Sequence, residues 1–238
     1  MDRSWRRKQL MLPVMDVMST YEQALHAERK ERFDEAYTLF LACAGHPDCD
    51  TGEVFFHSGW CLEQLPHGDR NEVVRLYHKA ILAAATPSCK MNSLFRAGWV
   101  LMQEKEHAKA ADLFRQTIEY CAFVGMETET YHQAMFWYAV CLEVRSWYLD
   151  ALKWYRCVES LVSSLNPESR YRQIICLNQV GLYEEAINVC HSFERPPPTG
   201  FNSGRYGELQ SLARHERDLL RACLHPAMMK GAASHVGG

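Results

Sequence analysis

No stretch of this 238-residue chain approaches the ~20 consecutive apolar residues that a membrane-spanning helix needs, so no membrane span is expected. Net charge is also scarce. Twenty-six Lys and Arg against 29 Asp and Glu leave −3, which supplies no global basic field to draw the chain to nucleic acid. There is no Gly-rich phosphate loop, no G-x-S-x-G elbow and no H-E-x-x-H, so P-loop, serine-hydrolase and zincin chemistry lack their carriers. No C-x-x-C knuckle occurs either. Apolar residues never alternate over a strand length, which leaves helix as the main element.

Cysteine, by contrast, is abundant, at ten residues. Most of these fall at helical positions, as at Cys43, Cys61, Cys141, Cys157, Cys176 and Cys190, where a thiol acts as a small apolar filler. The start of the chain is basic but its apolar run is too short for a secretory signal, so a reducing cytoplasm is the expected compartment.

What the chain does contain is one recurrent spacing. A small residue is followed twelve positions later by another, and four later by an aromatic: Ala24/Ala36/Phe40, Gly98/Ala110/Phe114 and Ala139/Ala151/Tyr155. Gly59/Val73/Tyr77 has two extra residues in its turn, and Ile174/Ala186/Cys190 is a looser copy. First anchors recur every 35 to 41 residues, the signature of stacked helical hairpins. Small residues let two helix backbones approach, and the aromatic one turn on fills the remaining gap. Short polar turns such as Glu104–His107 join antiparallel neighbours. Pro47, Pro87, Pro167 and Pro196 are expected to end second helices, and Gly125 to end the one without a proline.

This pattern resembles the tetratricopeptide repeat, in which the first helix of each hairpin lines a concave face. The resemblance covers residues 17 to 195. It implies an all-α, right-handed superhelical array of helical hairpins. The expected layout is a basic lead-in (1–15), five hairpins (16–195), a Pro/Gly linker (196–204), a capping helix (205–225) and a disordered tail (226–238). The cap is expected to bury Leu209, Leu212, Ala213, Leu220 and Cys223.

The resemblance also implies which positions look into the groove. Three before the first anchor stand Tyr21, Phe56, Phe95, Phe136 and Tyr171. One after it stand Leu25, Trp60, Trp99, Val140 and Ile175, and four after it Glu28, Glu63, Met102, Glu143 and Asn178. The candidate partner-binding set is Tyr21, Leu25, Phe56, Trp60, Phe95, Trp99, Met102, Phe136, Glu143 and Tyr171. A continuous aromatic strip would hold an apolar helix or extended segment of another protein. The glutamate row would select basic residues beside it. Lys and Arg are absent from all three rows, so a free terminal carboxylate is a poor guest.

The expected function is therefore a non-enzymatic scaffold or adaptor, chaperone-like, without cofactor or nucleic acid. One alternative is an RNA-binding helical repeat, disfavoured by the net charge and the acidic row. Another is a metal-dependent enzyme using His46, Cys49, His57 and Cys61. That set is poorly spaced, and Cys61 lies on a helix that must pack, so no metal is expected. The adjacent Glu184 and Glu185 open a second helix, where they complement its dipole.

Overall fold

The computed structural model describes residues 17–161, 165–196 and 201–233. Among them there are eleven α-helices and no strand. In chain order these are α1 (Val17–Arg29), α2 (Phe33–Cys43), α3 (Thr51–Gln64), α4 (Arg70–Ala83), α5 (Pro87–Gln103), α6 (His107–Val124), α7 (Glu129–Val144), α8 (Tyr148–Ser160), α9 (Asn166–Gln179), α10 (Tyr183–Ser192) and α11 (Ser203–Ala233). They form two compact units that meet in sequence between Glu104 and Lys105.

In the first unit α1 packs on α2, α2 on α3, α3 on α4 and α4 on α5. The recurrent anchors form its centre: Ala24, Ala36, Phe40, Val73 and Tyr77 are all inaccessible to solvent. Gly59 is a true close approach. A Cβ placed there would lie 3.1 Å from the Tyr77 ring and 3.4 Å from the Leu76 Cβ. In the second unit α6 packs on α7, α7 on α8, α8 on α9 and α9 on α10. Ala110, Phe114, Ala139, Ala151, Tyr155, Ile174 and Ala186 are fully buried, so the looser fifth copy performs the same packing.

The turns explain why the spacing is so regular. Glu31, Lys105, Ser146 and Gly181 all adopt the left-handed backbone region. Around three of them the chain closes with a bond back across the helix end: Arg32 N to Ala27 O, Trp147 N to Leu142 O and Leu182 N to Leu177 O, each 2.9 Å. This is the Schellman arrangement, and it satisfies carbonyls that the helix end would orphan. Of these three, only the turn at Gly181 uses glycine for it. The longer turn from Leu65 to Asp69 lacks it and instead starts α4 with Asp69 accepting from Asn71 N.

The prolines act differently from the sequence expectation. Pro87 and Pro167 do not end second helices. They open the next first helices, α5 and α9, in the first turn where a missing N–H costs nothing. Thr86 caps α5 through Cys89 N, and Thr128 caps α7 through Tyr131 N. Gly125 does end α6, at φ 70°.

The last helix departs from the expected boundaries. α11 begins at Ser203 and continues through Pro226 to Ala233, where a disordered tail was expected. Ala, Met and Lys dominate that stretch and favour helix, so one missing backbone donor does not stop it. The lead-in 1–15 and the last five residues lie outside the described residues. α11 packs on both α9 and α10, burying Tyr206, Leu209, Ala213 and Leu220. Leu212, expected on that face, is 44% exposed, while Tyr206, not expected there, is buried. Tyr206 sits 5.7 Å from the Phe193 ring and donates to Arg195 O at 3.0 Å. Gln210 donates to Phe193 O at 2.6 Å, which ties α11 to the end of α10.

Candidate functional site

The row of aromatics three before each first anchor is built mainly into the hairpins. Tyr21 meets Phe40 edge-on at 5.7 Å, Phe56 meets Tyr77 at 5.9 Å, and Phe136 meets Tyr155 at 5.8 Å. Each ring therefore spends a face on the second-helix aromatic of its own repeat. Phe95 and Phe136 are buried, at 7% and 3% exposure, which breaks the expected continuous strip. Tyr21, Phe56 and Tyr171 remain half-buried, as do Leu25, Trp60, Trp99 and Met102. Tyr171 has no second-helix aromatic at the matching place, because Cys190 stands there.

The glutamate row is also committed internally, which corrects its expected role of selecting basic residues. Glu28 bonds His57 Nδ1 at 2.7 Å, and His57 stacks on Phe40 at 5.1 Å. Glu63 accepts from Tyr77 Oη at 2.7 Å and is paired with Arg96 through both of its oxygens. Glu143 accepts from Tyr155 Oη at 2.6 Å and holds Arg172 Nη1 at 2.9 and 3.1 Å. Each pair links one repeat to the next. The partners His57, Arg96 and Arg172 all stand two before a first anchor, one residue past the aromatic row. Sequence reading missed that row. Its signal was present: wherever Glu stands four after one anchor, a basic residue or His stands two before the next. The third and fourth copies break both halves together, with Met102 and Trp137 in these places.

Burial sets the ionisation of these groups. It pushes the Tyr77 and Tyr155 phenols well above their usual value, and the adjacent Glu63 and Glu143 carboxylates push further. Burial likewise raises the thiols of Cys61, Cys141 and Cys176 to about 12, and those of Cys43, Cys89 and Cys190 to about 11. These thiols are packing groups that stay protonated, not nucleophiles. The folded chain therefore retains protons that the unfolded chain releases above the ordinary thiol value of 9.0. Their contribution to stability is complete below that pH and is lost as pH rises toward 12. A thermal denaturation series should show the midpoint falling between pH 9 and 11. A flat series would contradict the burial.

Three of the four suggested metal donors have other tasks, and Cys49 is 9% exposed. His57 is held by Glu28, Cys61 is buried in the core, and His46 Nδ1 accepts from Asp48 N at 3.3 Å. Among the described residues no three His, Cys, Asp or Glu side chains form a metal-holding group. No described helix is long and apolar enough to cross a membrane.

The first helices do form one concavity within the second unit, a cavity of about 360 Å³. From α7 come Phe136 and Trp137, and from α9 Tyr171, Ile175 and Arg172. Leu165 and Glu168 at the start of α9 and Leu209 and Arg205 of α11 complete the wall. Arg205 crosses to α9, where its Nε donates to Glu168 at 2.7 Å, and its Nη1 donates to Glu208 at 2.9 Å. Of the candidate set, Phe136 and Tyr171 are thus brought together, with Glu143 behind them through Arg172. In the first unit Arg96 lies over the Trp60 ring at 4.7 Å.

No protein-family model and no curated protein sequence matches the chain. Solved structures do. MamA of AMB-1 is 14% identical with a TM-score of 0.58, over 73% of this chain and 87% of that one. The TPR-like repeats of a putative kinesin light chain from Podosopora anserina are 14% identical with a TM-score of 0.54, over 74% and 92%. YrrB, described as a TPR protein with an unusual peptide-binding site, is 14% identical with a TM-score of 0.56, over 73% and 86%. With its repeated anchors, left-handed turns and these likenesses, the chain has the all-helical tetratricopeptide-repeat fold.

Proposed function

We propose that the protein is a non-catalytic interaction scaffold of the cytoplasm, holding an apolar helix or extended segment of a partner protein against its first helices. The observation that carries this reading is the cavity walled by α7, α9 and α11. Its volume of about 360 Å³ sits at the small end of ligand pockets, room for a side chain or two. Its lining is mainly aromatic and aliphatic with a few convergent polar groups, the composition of an interface anchor site. Within the first unit, taken by itself, Tyr21, Leu25, Phe56, Trp60, Trp99 and Met102 are half-buried residues of the same apolar and aromatic kind. That YrrB has a peptide-binding site agrees with this use of the fold. The buried, protonated thiols and the dispersed His and Cys donors favour this reading over the enzyme alternative. The net charge of −3 favours it over RNA.

The test is affinity capture from native lysate with the parent and with Trp60→Ala, Trp99→Ala and Tyr171→Ala, each checked for helical content. Truncating an anchor aromatic costs about 2 kcal/mol or more. Each folded variant should then bind the captured partner at least roughly tenfold more weakly. Three folded variants that bind as tightly as the parent would remove the groove from the function.

A further inference from the structure

The sequence places glutamates along the groove, which would favour a basic guest. The structure reverses this, because each glutamate is the inner member of its pair. Glu63 is 5% exposed and its partner Arg96 21%; Glu143 is 13% exposed and Arg172 31%. The carboxylates sit against the Tyr77 and Tyr155 hydroxyls, and the guanidiniums lie outward over aromatic rings. Arg96 covers Trp60 at 4.7 Å and Arg172 stands 5.9 Å from the Phe136 ring. The cavity lining follows the same rule, with two guanidiniums, Arg172 and Arg205, to one carboxylate, Glu168.

From this arrangement we infer that the cavity takes a bulky apolar side chain of a partner protein segment with an acidic residue beside it. The inference rests on the scaffold reading above and names the chemistry of its guest. The apolar side chain enters between Phe136, Tyr171, Ile175 and Leu209. The guest carboxylate meets Arg205 at the rim. Arg205 is 47% exposed, and its ion pair with Glu208, itself 65% exposed, is of the solvent-screened kind that contributes little. A guest carboxylate therefore replaces Glu208 at small cost, while Glu168 keeps the guanidinium in place. Arg172 is held by Glu143 and keeps its place. This makes α11 part of the binding wall as well as a cap, since both Arg205 and Leu209 belong to it.

The experiment selects from a random-peptide display library on the whole chain. The enriched peptides then serve as synthetic probes in fluorescence anisotropy. Enriched sequences should carry a bulky apolar residue with Asp or Glu within one helical turn. Exchanging that acid for Lys should weaken binding at least tenfold. Arg205→Gln should erase the preference for acid while keeping the apolar requirement, and Arg205→Lys should retain it. Ile175→Asn should weaken acidic and neutral peptides alike. Enriched sequences with basic flanks, or an acid preference indifferent to Arg205→Gln, would overturn the inference. So would displacement of the peptides by single-stranded RNA. Binding that depends on Ile175 and Tyr171 without any charge preference would overturn the guest chemistry and leave the scaffold standing. A library with no enriched peptide would count against both.

Discussion

Glu63→Ala is expected to destabilise the chain by roughly 3–5 kcal/mol, the cost of breaking a buried ion pair from one side. The side chain of Glu63 is 5% exposed and serves two partners on different helices. It accepts from the hydroxyl of Tyr77, itself inaccessible to solvent, and pairs with Arg96 of the next repeat. Alanine leaves the Tyr77 hydroxyl without its acceptor and the guanidinium without its carboxylate. Since Arg96 keeps one-fifth exposure, the lower half of the range is the better expectation. Urea denaturation with Glu63→Gln as an intermediate case provides the measurement. The chain itself suggests the compensation. Its third copy has Met102 and Phe114 where the second has Glu63 and Tyr77, and Trp137 follows where Arg96 would stand. Glu63→Met, Tyr77→Phe and Arg96→Trp together should recover most of the loss, because an apolar set of similar volume removes the desolvation cost. A loss below about 1 kcal/mol for Glu63→Ala would show that the pair is not buried in solution.

Gly59→Leu should cost about 1–3 kcal/mol by overpacking. Gly59 is the small first anchor of its repeat, and a Cβ alone would already come within 3.1 Å and 3.2 Å of two Tyr77 ring carbons. The ring cannot yield freely. Its hydroxyl is tied to Glu63, and its edge packs on Phe56 at 5.9 Å. Gly59→Ala should be far milder, since alanine gains helix propensity and requires a shift of only a few tenths of an ångström. Thermal midpoints for the two variants decide the matter. Equal midpoints for Gly59→Leu and the parent would mean that α3 and α4 separate at no cost.

Repeat spacing makes the helices and their pairing legible in the sequence alone. Small residues at fixed separation answer to one physical demand, the close approach of two backbones, and that demand is local to a hairpin. Even the weak fifth copy obeyed it, with Ile174 and Ala186 fully buried. The prolines were misread because a proline between two helices marks a boundary without saying which helix it belongs to. Pro87 and Pro167 belong to the helices they open.

The groove was less legible. Periodicity places Tyr21, Phe56, Phe95, Phe136 and Tyr171 on one helical stripe, but a stripe faces both its own hairpin and the solvent. How much of each ring remains free is set by everything the fold packs on it, not by the second-helix residue alone: Tyr21 and Phe56 meet Phe40 and Tyr77 and still stay half-buried. Phe136 meets Tyr155 and keeps 3% exposure, whereas Tyr171, opposite Cys190, stays half-buried, and both line the cavity. The charge of the groove was decided later still. Sequence alone determined that this protein is a series of helical hairpins with aromatic and acidic residues on the inner stripe. Only tertiary structure decided that Glu63 and Glu143 turn inward to Tyr77 and Tyr155 while Arg96 and Arg172 turn outward. The reason is that a side chain's direction follows its partners: each glutamate meets the tyrosine of its own hairpin and the arginine brought by the neighbouring repeat, some thirty residues away in the chain.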